Sequence, residues 1–317
     1  MPASSRLSRP SRLVLGAAFG VALALACGRA APHAPDAAVV PAWGWTFDPL
    51  VVALLALSLA LYAAGHRRLL RRSRLGRRLR RAQAACFAAG WLALVVALVS
   101  PLDALGSGLF SAHMLQHELL MIVAAPLLVL GRPLAVWLWA FPPGSRVRLA
   151  RAARCRPIAL AWGWLTLPTV AWLLHALALW AWHVPRWFES ALRHPALHTL
   201  QHWSFLASAL LFWWTIFGVR RAGDDGAHAM LSLFTTMVHT GALGTLLTLS
   251  PGPWYPWYFE ASAALGFDAL QDQQLGGLVM WVPGGIAYLA AGLAVAARWL
   301  VRGREVAPSA GRALPLP

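Results

Sequence analysis

Seven apolar stretches, at residues 50–65, 84–100, 115–131, 158–182, 200–219, 229–249 and 277–300, set the limits on what this chain can fold into. Each is near the ~20 residues that an α-helix needs to cross a bilayer. The expected fold is therefore all-α, a polytopic membrane helix bundle of about seven transmembrane helices. Composition agrees, with 59% hydrophobic residues, 18 Trp and only 12% charged residues. Pro126, Pro168 and Pro283 fall inside these stretches, where neighbouring helices can satisfy the freed carbonyls and kinks are expected. No internal repeat is visible.

The formal net charge of +16 would suit a nucleic-acid partner, but all 27 basic residues are Arg and most lie in short runs between apolar stretches. Such runs act as topology signals, and the partner they imply is the lipid bilayer, not nucleic acid. "HRRLLRRSRLGRRLRR" carries nine Arg, residues 131–156 carry six, "RRAGDD" two and the stretch from Arg298 four, all on one side of the predicted membrane. The positive-inside rule then puts the mature N-terminus outside and the C-terminus in the cytoplasm. Ahead of the spans, Arg6, Arg9 and Arg12 precede an apolar run that closes in Ala24-Leu25-Ala26, the form of a secretory signal peptide. A retained first span is the alternative, and Cys27 makes only a weak lipoprotein signal. The expected organisation is a signal peptide at 1–26, an outer segment at 27–48, a seven-span domain at 49–300 and a cytoplasmic tail at 301–317. Cys27, Cys86 and Cys155 form no C-x-x-C pair, so neither a disulfide framework nor a thiolate metal site is indicated.

With this orientation, nine of the eleven histidines lie outside or within spans, leaving His66 and His228 on the inner side. Eight of the eleven carboxylates share the outer face, which should attract cations. In "HMLQHELLM", His113, His117 and Met121 are each four residues apart, so on a helix they form one stripe of two imidazoles and a thioether. His194, His198 and His202 repeat the step, with Pro195 placed to start the helix. His183 ends the fourth span, while His175 and His239 lie deeper, where ionisable groups are costly and tend to be functional. Imidazole with thioether leans towards copper, with zinc also possible. A single interfacial histidine has a blander role as an amphipathic residue, so it is the cluster that points to metal. The Trp residues, as in "PGPWYPWYF", suit an interfacial belt, and Met114 and Met280 suit core packing.

A third polar block, "QDQQLGGLVMW", opens the seventh span. There Asp272 could accept hydrogen bonds from ligand histidines, fixing their aim, or could simply favour a helix N-terminus. No G-x-S-x-G, phosphate loop or H-E-x-x-H is present, so an enzyme is not expected.

The blocks "SAHMLQHELLMIVAAPLLVLGRP", "WHVP", "HTLQHWSF", the span-six His239 and "DQQLGGLVMWVPG" together resemble the multi-span CtaG family of bacterial cytochrome c oxidase assembly factors. The resemblance covers about residues 45–300. It implies a bacterial inner-membrane protein needed to assemble haem-copper cytochrome c oxidase, with a role in copper supply. The oxidase subunits are then the implied partners, along with periplasmic copper chaperones. His113, His117, His198 and His202 are the expected copper ligands, with Met121 and His183 next and Asp272 supporting them. His175 and His239 would form a deeper station. A haem-binding electron carrier and a copper permease are the rival functions, since histidines on different helices can also ligate haem.

Overall fold

In the computed structural model, which describes residues 44–72, 76–218 and 226–306, Asp48 opens the first helix. Its carboxylate accepts from the N–H groups of Leu50 and Val51, at 2.8 and 3.0 Å, satisfying donors that a helix start leaves free. Helix α1 then runs over Pro49–Arg72 and α2 over Arg77–Leu98, antiparallel to it, since the Thr46 N–H reaches the Val99 carbonyl at 3.0 Å. A short α3, Pro101–Gly106, leads into α4, Phe110–Glu118. One π-helical turn, Leu119–Ala124, joins α4 to α5, Ala125–Gly131, so that Phe110–Gly131 is one span. The expected signal peptide at 1–26, Cys27 and most of the tail lie outside the described residues. All described secondary structure is helical or turn, as the apolar runs predict.

The π-turn has a local cause and a local remedy. Within it each N–H reaches five residues back, as Ala125 does to Leu120. The Met121 carbonyl would need the N–H of residue 126, which is Pro126 and has none. The Trp213 indole supplies the missing donor at 2.8 Å. An extra residue is thus accommodated in the span without leaving a buried carbonyl unpaired.

After Arg132, which turns the chain at φ 52°, α6 (Pro133–Leu138) continues beside α1, and α7 (Pro143–Ala153) follows. The stretch 158–182, expected as one span kinked at Pro168, is broken there outright. It divides into α8, Arg156–Leu165, and α9, Pro168–His183, bent by 68°. Pro168 explains the break, because its ring blocks helical continuation and holds Leu167 extended at ψ 131°. Helix α10 (Pro185–Arg193) and α11 (Pro195–Phe217) come next, with Pro195 in the first turn as its sequence position predicts. Pro283, by contrast, sits inside an unbroken helix.

Helix α12 (Ala227–Thr248), the short α13 (Tyr258–Ala264) and the long α14 (Ala269–Val306) complete the described chain. Among the described residues five helices are long and apolar enough to cross a membrane, or six if the bent pair counts as one span. Helix α11 has 23 residues, but His198, Thr199, Gln201, His202 and Ser204 dilute its apolar character. The main core joins α4, α5, α9, α11, α12 and α14, with Trp213, Phe205, Phe212 and Met280 fully enclosed. Met114 and Met280 pack in this core, as expected.

Helices α12 and α14 approach through Gly244 and Gly277, where small residues let backbones meet. A Cβ on Gly277 would collide with Thr248 Oγ1 and stand 2.7 Å from both the Gly244 carbonyl oxygen and the Thr248 nitrogen. The last two atoms are backbone and cannot rotate away. Gly277→Ala is therefore expected to lower stability by about 1–3 kcal/mol, the range for overpacking, read as a lower melting temperature in detergent.

Candidate metal centre

The paired spacing in "HMLQH" and "HTLQH" places two imidazoles on one face of α4 and two on one face of α11, and the faces meet. The His113 ring centroid lies 4.3 Å from that of His117, 5.4 Å from His198 and 5.9 Å from His202. His202 is 5.2 Å from His117 and 4.2 Å from His198. One ligand atom from each of His113, His198 and His202 falls within 4.8 Å of the others. His117 stands beside this triple and is not part of it. His113, His117 and His202 are buried, and His198 is half-buried, opening the cluster to the end of the bundle where α4 begins.

The chemistry of these rings is more telling than their distances. Both ring nitrogens of His113 and of His117, and Nε2 of His183, His198 and His202, are buried without a hydrogen-bond partner. Each such group forfeits about 1–3 kcal/mol of solvation, and native interiors seldom leave polar atoms unpaired. Imidazole nitrogens that converge and bond to nothing in the protein suit a borderline-soft metal ion. His183 is oriented in the same way. Its Nδ1–H donates to the Leu179 carbonyl at 2.7 Å, which leaves the Nε2 lone pair free for an ion.

Aromatic rings and glycine shape the surroundings. Phe188 of α10 packs 5.2 Å from His113, and Phe205 packs 4.5 Å from His117. Gly106 backs onto the site, where a Cβ would meet His113 Nδ1 at 3.6 Å. Above it, Tyr258 donates to the Gly106 carbonyl at 3.0 Å, and Tyr255 donates to the His183 carbonyl at 2.9 Å. Burial, with Asp272 nearby, pushes the Tyr258 phenol well above its ordinary range, so it remains a donor. These two tyrosines of "PGPWYPWYF" are thus a buried cover, while Trp257 and Phe259 stay exposed as an interfacial belt requires.

Asp272 holds the helix that carries His113 and His117 rather than an imidazole. Its carboxylate accepts from the backbone N–H of Phe110 at 2.6 Å and of Ser111 at 3.1 Å, and from the hydroxyls of Ser111 and Ser262. Leu109 gives α4 no side-chain cap, so α14 caps α4 from outside, adding a negative charge at its positive end.

The family model for the cytochrome c oxidase caa3 assembly factor (Caa3_CtaG) matches residues 60–302. The chain belongs to that family. The match takes in every histidine of the cluster and Asp272. An uncharacterized protein of Mycobacterium bovis and one of Mycobacterium tuberculosis are each 28% identical to it over 278 residues, and one of Mycobacterium leprae is 24% identical over 277. Each alignment covers 83% of this chain and 40% of the relative, so the chain spans well under half the length of the curated relatives it matches. No solved structure matches the chain.

The remaining site residues of this Caa3_CtaG member stand apart. Met121 lies within the π-turn and packs in the apolar core, because the turn interrupts the four-residue stripe that begins at His113. His194 caps α11 from an exposed position, with Nδ1–H to the Ser190 carbonyl at 2.9 Å. His175 and His239 lie on α9 and α12; His175 Nδ1 is 3.1 Å from Ser208 Oγ, and its Nε2 and both nitrogens of His239 are unpartnered. Two buried polar residues were given no site role from the sequence. Gln201, one residue before His202 in the chain, is buried with neither amide atom in a hydrogen bond, and Glu118, next to His117 in the chain, is buried with Oε2 unpaired and directed towards Gly284 of α14. Their place in the same two histidine blocks was the available signal.

Proposed function

We propose that the chain holds copper as a cargo at His113, His117, His198 and His202 and assists maturation of a haem-copper cytochrome c oxidase. The observation that carries this is the convergence of buried imidazoles whose nitrogens bond to nothing in the protein. Family membership supplies the oxidase, and copper is the metal such an enzyme must receive. His198, half-buried at the mouth, is the entrance ligand. His183 is the next donor, and His175 with His239 the deeper station. In this function Met121 is a packing residue.

The bilayer is that of the bacterial inner membrane, and the arginine runs set the orientation, with the cluster outside and the C-terminus in the cytoplasm. Seven spans result when the bent pair α8–α9 and α11 are both counted. Oxidase subunits and periplasmic copper chaperones are the partners. A haem-binding electron carrier fits less well, since the rings meet at 4.2 to 5.9 Å and leave no slot for a macrocycle between them.

Titrating Cu(I) into the purified chain tests this directly. Uptake is expected to be tight, and to weaken as the solution is acidified, because protons compete for the same nitrogens. No Soret band should accompany it. A stoichiometric Soret band with no copper uptake would transfer the assignment to the electron carrier.

A further inference from the structure

The end of the bundle opposite the histidines carries a second constellation, independent of the copper site. Helix α1 is 24 residues long, so its last turn lies about 30 Å along the axis from Pro49, the thickness of a hydrocarbon core. Arg68, Arg71 and Arg72 occupy that turn, at headgroup depth. Two contacts bring the next element against them. Tyr62 donates to the Gly131 carbonyl at 2.9 Å, and Trp137 Nε1 donates to the Ser58 carbonyl at 3.1 Å. Gly65 makes the approach possible, since a Cβ there would collide with the Val136 carbonyl oxygen.

The result is a concave pocket lined by Arg68, Arg71, Arg72, Trp139, Phe141 and Arg146. The Arg146 guanidinium stacks 3.9 Å above the Trp139 ring, and Arg68 reaches the Trp139 carbonyl. Helix α7 starts at the rim with Pro143, bringing the positive end of its dipole. Among the described residues none of these four arginines has a carboxylate partner; the ion pair found there is Arg193–Glu189, elsewhere. Charge of one sign, gathered over an aromatic and proline wall at the membrane interface, calls for an amphiphilic anion: phosphate for the guanidinium forks, acyl chain for the wall.

We propose that this pocket seats the phosphate headgroup of an anionic phospholipid. Topology alone would place arginines here, but it would not require them to surround a hollow with an aromatic floor. Basic pockets between helices on the inner side of membranes are built for such headgroups.

Native mass spectrometry of the full chain in neutral detergent, titrated with phosphatidylglycerol or phosphatidylcholine, tests the assignment. Wild type should retain phosphatidylglycerol in preference to phosphatidylcholine. The exposed pair Arg71→Gln/Arg72→Gln should bind it at least about tenfold more weakly, because each lost guanidinium withdraws a charge-assisted hydrogen bond to the phosphate that only the pocket supplies. Arg151→Gln/Arg154→Gln, which removes equal charge outside the pocket, should bind as wild type. Equal weakening in both double variants would mean diffuse attraction and overturn the pocket. Displacement of phosphatidylglycerol by inorganic phosphate at comparable concentration would assign a soluble anion instead, and also overturn it.

Discussion

Replacing His113 and His117 together by alanine is expected to abolish bound copper while leaving the helices folded and the melting temperature near that of wild type. Four ring nitrogens are removed, and none of them makes a hydrogen bond within the protein. The substitutions therefore forfeit packing volume and, at His113, only the approaches of the Gly106 backbone and the Gln201 side chain, and they relieve buried ring nitrogens without a hydrogen bond that each cost about 1–3 kcal/mol. Cavity and relief act in opposite directions, so the net change in stability is small. For the metal nothing offsets the loss, because His198 and His202 alone offer two donors from one helix. Copper per chain, melting temperature and oxidase activity in the host are the measurements. Normal copper content with a depressed melting temperature would refute the ligand assignment and make the cluster structural.

Asp272→Ala is expected to give the reverse order of events, with stability failing first and copper following. The carboxylate is buried and satisfies the first two N–H groups of α4, which have no other cap. A hydrogen bond to a charged acceptor contributes roughly 1.5–3 kcal/mol, so losing two of them should cost at least about 3 kcal/mol. The melting temperature should fall by many degrees, and copper retention should fall with it because α4 carries His113 and His117. Asp272→Asn, which keeps an acceptor oxygen, should restore part of both. An unchanged melting temperature in Asp272→Ala would show that the cap does not hold the helix.

The sequence made some of this legible and hid the rest for physical reasons. A step of four residues maps to one helix face whatever the tertiary setting, so the pairs His113/His117 and His198/His202 could be read as histidine-bearing faces before any coordinates. Pro195 announced the start of α11 because a helix start is where proline fits. Grouping the two pairs as one site rested on their shared outer side, whereas the distances at which the faces of α4 and α11 meet are a matter of packing between helices. That Met121 leaves the histidine stripe for the apolar core was hidden because a π-turn leaves no mark in an apolar run. The break at Pro168 was visible only as a kink, since proline in a span bends or ends a helix according to its neighbours. Asp272 was recognised as a carboxylate with a supporting role, but its partners are another helix's free N–H groups, not an imidazole.

The π-turn makes the third span two helices spliced end to end. Each residue advances an α-helix by about 100°, so the surplus residue held in Leu119–Ala124 sets the rotational phase of everything after it. Above the splice the phase is fixed by what the histidines must face; below it, by what Ala125 and Val129 must fill. Deleting one residue from the turn would leave the span long enough for the bilayer yet swing Ala125 and Val129 by about a quarter turn out of the core. The turn is a phase adjuster, and it lets one segment of chain meet two unrelated geometric demands within a single crossing.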